Sequence, residues 1–209
     1  MIELVEQNIH TILSLVVLLF GIIITYFGRI CTRFYCFILG LISGILLINN
    51  IFQSQVSIRH ASIPLVLGCI VSLVCGVLTL LMQPLTLCCL LGYTITCIIL
   101  IIDNGIILYN YRLLITLLLI LLSCIIMFRK PIQITMISTT FSGAFICILS
   151  LDQFTNKSFS SLLFQSTSLY EPLLLQSSVP ICTTMCWILL GIWLLLCVSG
   201  YLVQSTHYK

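Results

Sequence analysis

Apolar runs long enough to cross a bilayer follow one another along almost the whole of this 209-residue chain. A hydrocarbon core about 30 Å thick is crossed by roughly 20 apolar helical residues. Runs near 10–28, 34–52, 62–82, 85–102, 108–128, 132–151 and 179–203 approach that length, which makes seven. In hydrocarbon every backbone N–H and C=O must be bonded inside the protein, so such runs fold as helices. Composition closes the soluble alternative: 61% of residues are hydrophobic and 6% charged, against roughly 25% charged in a typical soluble domain. Five acids, eight Lys/Arg and three His are too few to build a water-facing exterior. The expectation is an all-α polytopic bundle, one membrane domain over 1–209. A formal charge of +3 scattered along the chain provides no basic patch for nucleic acid.

The breaks between runs are "RICTR", "QSQVSIRHA", "QP", "DNG", "RKP" and a Ser-rich stretch. Pro64, Pro84, Pro131 and Pro180 fall in the first turn of a proposed span, where a missing N–H costs least. The short breaks "QP" and "RKP" imply helical hairpins. Lys and Arg are retained on the cytoplasmic side. With the N-terminus outside and the C-terminus cytoplasmic, the inner segments hold Arg29, Arg33, Arg129, Lys130 and Lys209, and the outer ones hold Arg59, Arg112 and Lys157. Glu3, Glu6, Asp103, Asp152 and Glu171 all then lie outside, with Asp103 and Asp152 at helix ends within reach of water. Arg112, about a turn inside its span, can snorkel outward. The start "MIELVEQNIH" is acidic rather than basic, so the first span is expected to act as its own signal anchor. Residues 152–178 hold apolar clusters too short to cross and are expected to lie as an outer interfacial segment. The sequon at Asn156 lies there, a candidate glycosylation site.

The stretch "GIIITYFGRICTRFYCFILGLISG" carries four glycines where its neighbours demand helix. Lipid tails are as apolar as leucine, so membrane helices associate by close packing, and small residues let two backbones approach. Gly40 and Gly44 make a GxxxG face on the second span; Gly68, Ser72 and Gly76 repeat the spacing on the third. Thr135, Thr139, Gly143 and Cys147 do so on the sixth. Gly21, Gly28, Gly92, Gly191 and Gly200 join them as candidate packing positions. The alternative is a solute path with Thr135, Thr139, Asn49 and Asn50 as polar contacts. A path commonly shows an ionisable residue deep in the membrane, and no proposed span has one near its middle.

Enzyme chemistry has no foothold in the pattern: there is no HExxH, GxSxG or phosphate-binding glycine loop. No catalytic residue, cofactor or metal ligand set is expected. His10, His60 and His207 sit in three separate polar segments. The twelve cysteines lie almost entirely in apolar runs, as in "LCCLLGYTITC", and read as small packing residues. Cys182 and Cys186 have no His or carboxylate beside them to complete a zinc site. Cys31, between Arg29 and Arg33, is a candidate palmitoylation site as a juxtamembrane thiol beside basic residues.

Four segments, in order, resemble the transmembrane protein 198 family, part of the wider group that includes seven-transmembrane superfamily member 3. They are "LFGIIITYFGRICTRFYCFILGLISG", "LVCGVLTLLMQPLTLCCLLG", "TTFSGAFICILSLDQF" and "CWILLGIWLLLCVSGYLVQS". Gly143-Ala144 with Asp152 and Phe154, and Gly200 with Val203-Gln204, carry the likeness. The resemblance implies seven spans with an outward N-terminus, a plasma-membrane or vesicle location, and a scaffold role supporting phosphorylation of a single-span Wnt co-receptor. A departure from the family pattern is that only "QSTHYK" follows the last span, where family members typically continue into a longer basic segment. The expected function is a non-enzymatic membrane scaffold whose partners are the lipid bilayer and a single-span receptor or other membrane protein. The alternative is a channel or transporter for a small, mostly neutral solute.

Overall fold

The computed structural model describes residues 2–53, 62–102, 111–154 and 184–206. Among them the regular structure is helical, without a strand: α1 (Ile2–Gln53), α2 (Ser62–Leu81), α3 (Gln83–Ile102), α4 (Arg112–Arg129), α5 (Pro131–Asp152) and α6 (Thr184–Thr206). Three are long and apolar enough to cross a membrane, namely α1 over Thr11–Ile48, α5 and α6; α2 and α3 qualify together as a bent pair, and α4 is shorter. The apolar side chains they leave exposed, such as Leu113, Leu117, Leu121, Leu195 and Leu202, suit lipid rather than water.

The first two expected spans are not separated at Arg29–Arg33. Helix runs through that stretch, and the irregular residue is Phe27 (φ −117°, ψ 16°). Arginine is a good helix former, and the Thr32 hydroxyl donates to Gly28 O at 2.6 Å, so nothing in "RICTR" ends the helix. The chain bends at Phe27 instead. The Phe20 and Tyr35 rings lie 6.5 Å apart, although a straight helix would separate these residues by about 22 Å along its axis.

A second correction concerns "QP". α2 and α3 do not form an antiparallel hairpin; they meet at a 97° bend. Only Met82 separates them, and its flanks keep helical bonding, with Met82 N–H donating to Leu78 O at 2.9 Å and Thr86 N–H to Met82 O at 3.0 Å. A helical hairpin commonly takes about 2–5 loop residues; the single residue here leaves the two helices at about a right angle. α2 therefore packs mainly on the C-terminal arm of α1, and α3 on α4 and α5. The other short break turns the chain further: Lys130 (φ −141°, ψ 67°) alone divides α4 from α5, with Pro131 opening α5, and the two helices run in opposite directions.

α5 is the central helix, packed by α1, α3, α4 and α6. Ser138, Thr139, Thr140, Ala144 and Ile148 on it have no exposed surface. One apolar cluster joins Cys97, Ile98 and Ile101 of α3, Ala144, Phe145 and Ile148 of α5, and Cys186, Leu189, Trp193 and Cys197 of α6. Trp193 donates its indole N–H to Phe141 O at 3.4 Å and meets the Phe141 ring edge-on at 5.1 Å.

Pairings along α5 also define two ends. Gly28 abuts Thr139 while Gly21 abuts Cys147, so the first arm of α1 runs antiparallel to α5. Ser138 bonds Leu87 O, while Cys97 and Ile101 cluster with Ala144 and Ile148, so α3 runs parallel to α5. Gln204 meets Thr139, so the C-terminal end of α6 lies at the Pro131 end. Arg29, Arg33, Arg129 and Lys130 thus gather toward the N-terminal end of α5. Asp152 closes the other end.

Candidate functional site

The densest polar arrangement among the described residues lies where α1, α5 and α6 cross. Gly21, Thr25 and Gly28 come from α1, Thr139, Thr140 and Gly143 from α5, and Gly200 and Gln204 from α6. A Cβ on Gly143 would stand 2.6 Å from Thr25 Oγ1, 2.7 Å from Thr25 N and 3.0 Å from Gly21 O. On Gly200 it would stand 2.7 Å from Thr25 O, and on Gly21 3.0 Å from Cys147 N. Apart from Thr25 Oγ1, those neighbours are backbone and cannot yield. The three helices approach this closely only because the positions are glycine.

Close approach places polar groups out of reach of water, and each finds a partner as it must. The Thr25 hydroxyl donates to Gly21 O at 2.8 Å, Thr139 to Thr135 O at 2.9 Å, Thr140 to Met136 O at 2.9 Å and Ser142 to Ser138 O at 2.7 Å. Gln204, with no exposed surface, donates Nε2–H to Thr25 O at 2.8 Å and lies 3.4 Å from Thr139 Oγ1. In a regular helix Thr25 O would accept from Arg29 N–H, across Phe27. A side chain inserted into the helical bonding ladder is an established cause of a sharp bend, and the Gln204 bond to Thr25 O falls beside this one. Nearby, Tyr26 OH and Ser199 Oγ share a hydrogen bond of 3.0 Å.

Two further seams repeat the design. Gly40 abuts Thr79, Cys75 O and Gly76 Cα, and Gly44 abuts the Ser72 backbone, its Cβ position 2.9 Å from Ser72 N. Thr79 crosses this seam, donating to Cys36 O at 2.9 Å. Between α3 and α4, a Cβ on Gly92 would stand 2.6 Å from Ile120 Cγ1 and 3.0 Å from Ile120 N. Gly68 has only an ordinary contact, 3.6 Å to Ile48 Cγ2. Thr135 is half-buried and bonds Pro131 O at 2.9 Å.

Gly191 does not belong to a seam. No atom lies within 4 Å of its Cβ position, and it is exposed. The spacing rule fails here because α6 turns a different face, that of Cys186, Leu189, Leu190, Trp193, Cys197, Gly200 and Gln204, inward. Gly191→Ala is expected to raise stability by about 1 kcal/mol through helix propensity, read as a thermal midpoint in detergent higher by roughly 2–4 °C.

Asp152 departs from its expected place in water, having no exposed surface. It terminates the helix that the others surround, and it is engaged with other groups there. The Tyr35 hydroxyl, on a residue 1% exposed, has no hydrogen-bond partner among the described residues. Ser142 lies beside it, but that hydroxyl gives its proton to Ser138 O. Cys31 is half-buried on α1. Asn156, and the side chains of Asn49 and Asn50, lie outside the described residues. The sequence reading quoted Gln204 but assigned it no role. Its signal was an amide in the last turns of an otherwise apolar span.

Comparison with curated proteins and with solved structures returned no match. The family model of the TM7S3/TM198-like domain matches residues 14–205, which takes in all three glycine seams and the Gln204 crossing. With its long apolar helices, this makes the protein an integral membrane protein. The chain belongs to the TM7S3/TM198-like family.

Proposed function

We propose that the protein is a non-enzymatic membrane scaffold crossing the bilayer seven times, N-terminus outside and C-terminus cytoplasmic. The seven-crossing reading counts α1 as two spans about its Phe27 bend. Its Thr11–Ile48 stretch of 38 residues would extend about 57 Å if straight, roughly twice a hydrocarbon core. α2, α3, α4, α5 and α6 supply the others. The gathering of Arg29, Arg33, Arg129 and Lys130 toward one end supports placing that end in the cytoplasm. The observation that carries the scaffold reading is the interior: backbones in contact at glycine, and threonine and serine hydroxyls bonded to their own helices, leave a rigid packed body. Resemblance to the transmembrane protein 198 family extends the proposal to a single-span Wnt co-receptor as partner, at the plasma membrane or on vesicles.

A conduit for a small neutral solute is the second reading, favoured by the enclosed and unbonded Tyr35 hydroxyl. Reconstituted liposomes separate the two. The scaffold reading predicts no solute or ion flux above empty vesicles, and crosslinking to a single-span receptor in native membranes. Flux that disappears in Thr139→Leu would replace it with the transport reading.

A further inference from the structure

The cysteines of α3 and α4 were read from the sequence as packing residues, yet the seam between these helices sets two of them face to face. Gly92 lies against the Ile120 backbone. Cys88 is one turn before Gly92, and Cys124 one turn after Ile120. On antiparallel helices these steps lead to opposed positions, and the two thiols are neighbours. A disulfide requires Cα atoms within about 4.4–6.8 Å, and the contact of Gly92 with the Ile120 backbone holds the two helices close one turn away. Access is unequal: Cys88 is 1% exposed, Cys124 is half-buried, and Cys89 beside them is exposed. Both members of the pair lie five residues from a helix end, Gln83 for Cys88 and Arg129 for Cys124, or about 7 Å along the axis. That depth is acyl chain rather than water.

We propose that Cys88 and Cys124 form a reversible disulfide that staples α3 to α4, with a lipid hydroperoxide as the oxidant. An oxidant dissolved in the acyl region reaches the partly open Cys124 sulfur. That sulfur attacks the terminal peroxide oxygen, the O–O bond breaks, and the lipid alcohol leaves with the thiol proton, giving a sulfenic acid. Cys88 Sγ then attacks the Cys124 sulfur, the S–O bond breaks, and water leaves with the second thiol proton. Two thiols lose two electrons in all, and one hydroperoxide becomes an alcohol and a water. A thiol that partitions to the same depth reverses the staple: it attacks one sulfur of the disulfide and, through a mixed disulfide, leaves the dithiol and its own disulfide.

The test uses the full chain in phosphatidylcholine nanodiscs with and without phosphatidylcholine hydroperoxide, thiols trapped with N-ethylmaleimide and peptides read by mass spectrometry. The expected result is a Cys88–Cys124 linked peptide that rises with hydroperoxide and disappears with dithiothreitol. Cys124→Ser should lose it completely, and Cys88→Ala should leave a Cys124 sulfenic acid captured by dimedone. Wild-type protein in which both cysteines stay alkylated overturns the proposal, as does oxidation confined to Cys89. Copper phenanthroline on the wild type locates the fault without relying on a variant. Failure to link with it refutes the facing geometry, whereas linking with it but not with hydroperoxide refutes the oxidant.

Discussion

Gly143→Ala is expected to lower stability by about 3 kcal/mol, the upper part of the usual range for overpacking, and Gly143→Leu to prevent assembly of the bundle. The added methyl has nowhere to go. It meets Thr25 Oγ1 at 2.6 Å and Thr25 N at 2.7 Å on one side of the seam, with Gly21 O at 3.0 Å. Separating α1 from α5 to make room would also loosen Gly21 against Cys147 and Gly28 against Thr139. For a chain of this length the cost corresponds to roughly 6–12 °C in thermal midpoint, which tryptophan fluorescence in detergent reads through the buried Trp193. Gly68→Ala is the matched control. It meets only Ile48 Cγ2, at an ordinary contact distance of 3.6 Å, and should shift the midpoint little. Equal shifts for the two variants would show that the seam is not where the structure places it.

Gln204→Leu is expected to cost about 1–2 kcal/mol, the range measured for hydrogen bonds between membrane helices in model peptides. It removes the 2.8 Å bond to Thr25 O and leaves a buried carbonyl beside a bend with one donor fewer. Because Gln204 also lies 3.4 Å from Thr139 Oγ1, Gln204→Leu and Thr139→Val should not be additive. A double-mutant cycle on thermal midpoints should return a coupling of about 0.6 kcal/mol, the average for such bonds. Strict additivity would show that the two side chains do not share a site.

These effects mark what was legible in the sequence. Apolar length and first-turn prolines locate α2, α3, α4 and α5 within a few residues, because hydrocarbon thickness and the missing proline N–H act on the local chain. Glycine spacing finds Gly21, Gly40, Gly44, Gly92, Gly143 and Gly200, all at backbone contacts, and Gly28 against the Thr139 side chain. It misassigns Gly191, since spacing says that a small residue is present but not which face of α6 turns inward. The bend in α1 was read at "RICTR" because paired arginines resemble a loop. The bend lies beside the bond from Gln204, 179 residues away from Thr25 in the chain, and no local pattern carries that. The 97° meeting of α2 and α3 was masked by a proline that suits a hairpin and a right-angle turn equally well. Asp152 looked wet because it ends a helix, but the end of a central helix is covered by its neighbours.

The central claim is that α1 folds back at Phe27 and crosses twice, giving an odd number of crossings with the basic end in the cytoplasm. Epitope tags at the two termini, probed with impermeant antibody before and after permeabilisation, test it directly. The account predicts an N-terminal tag labelled on intact cells and a C-terminal tag labelled only after permeabilisation. Both tags on the same side of the membrane would contradict it.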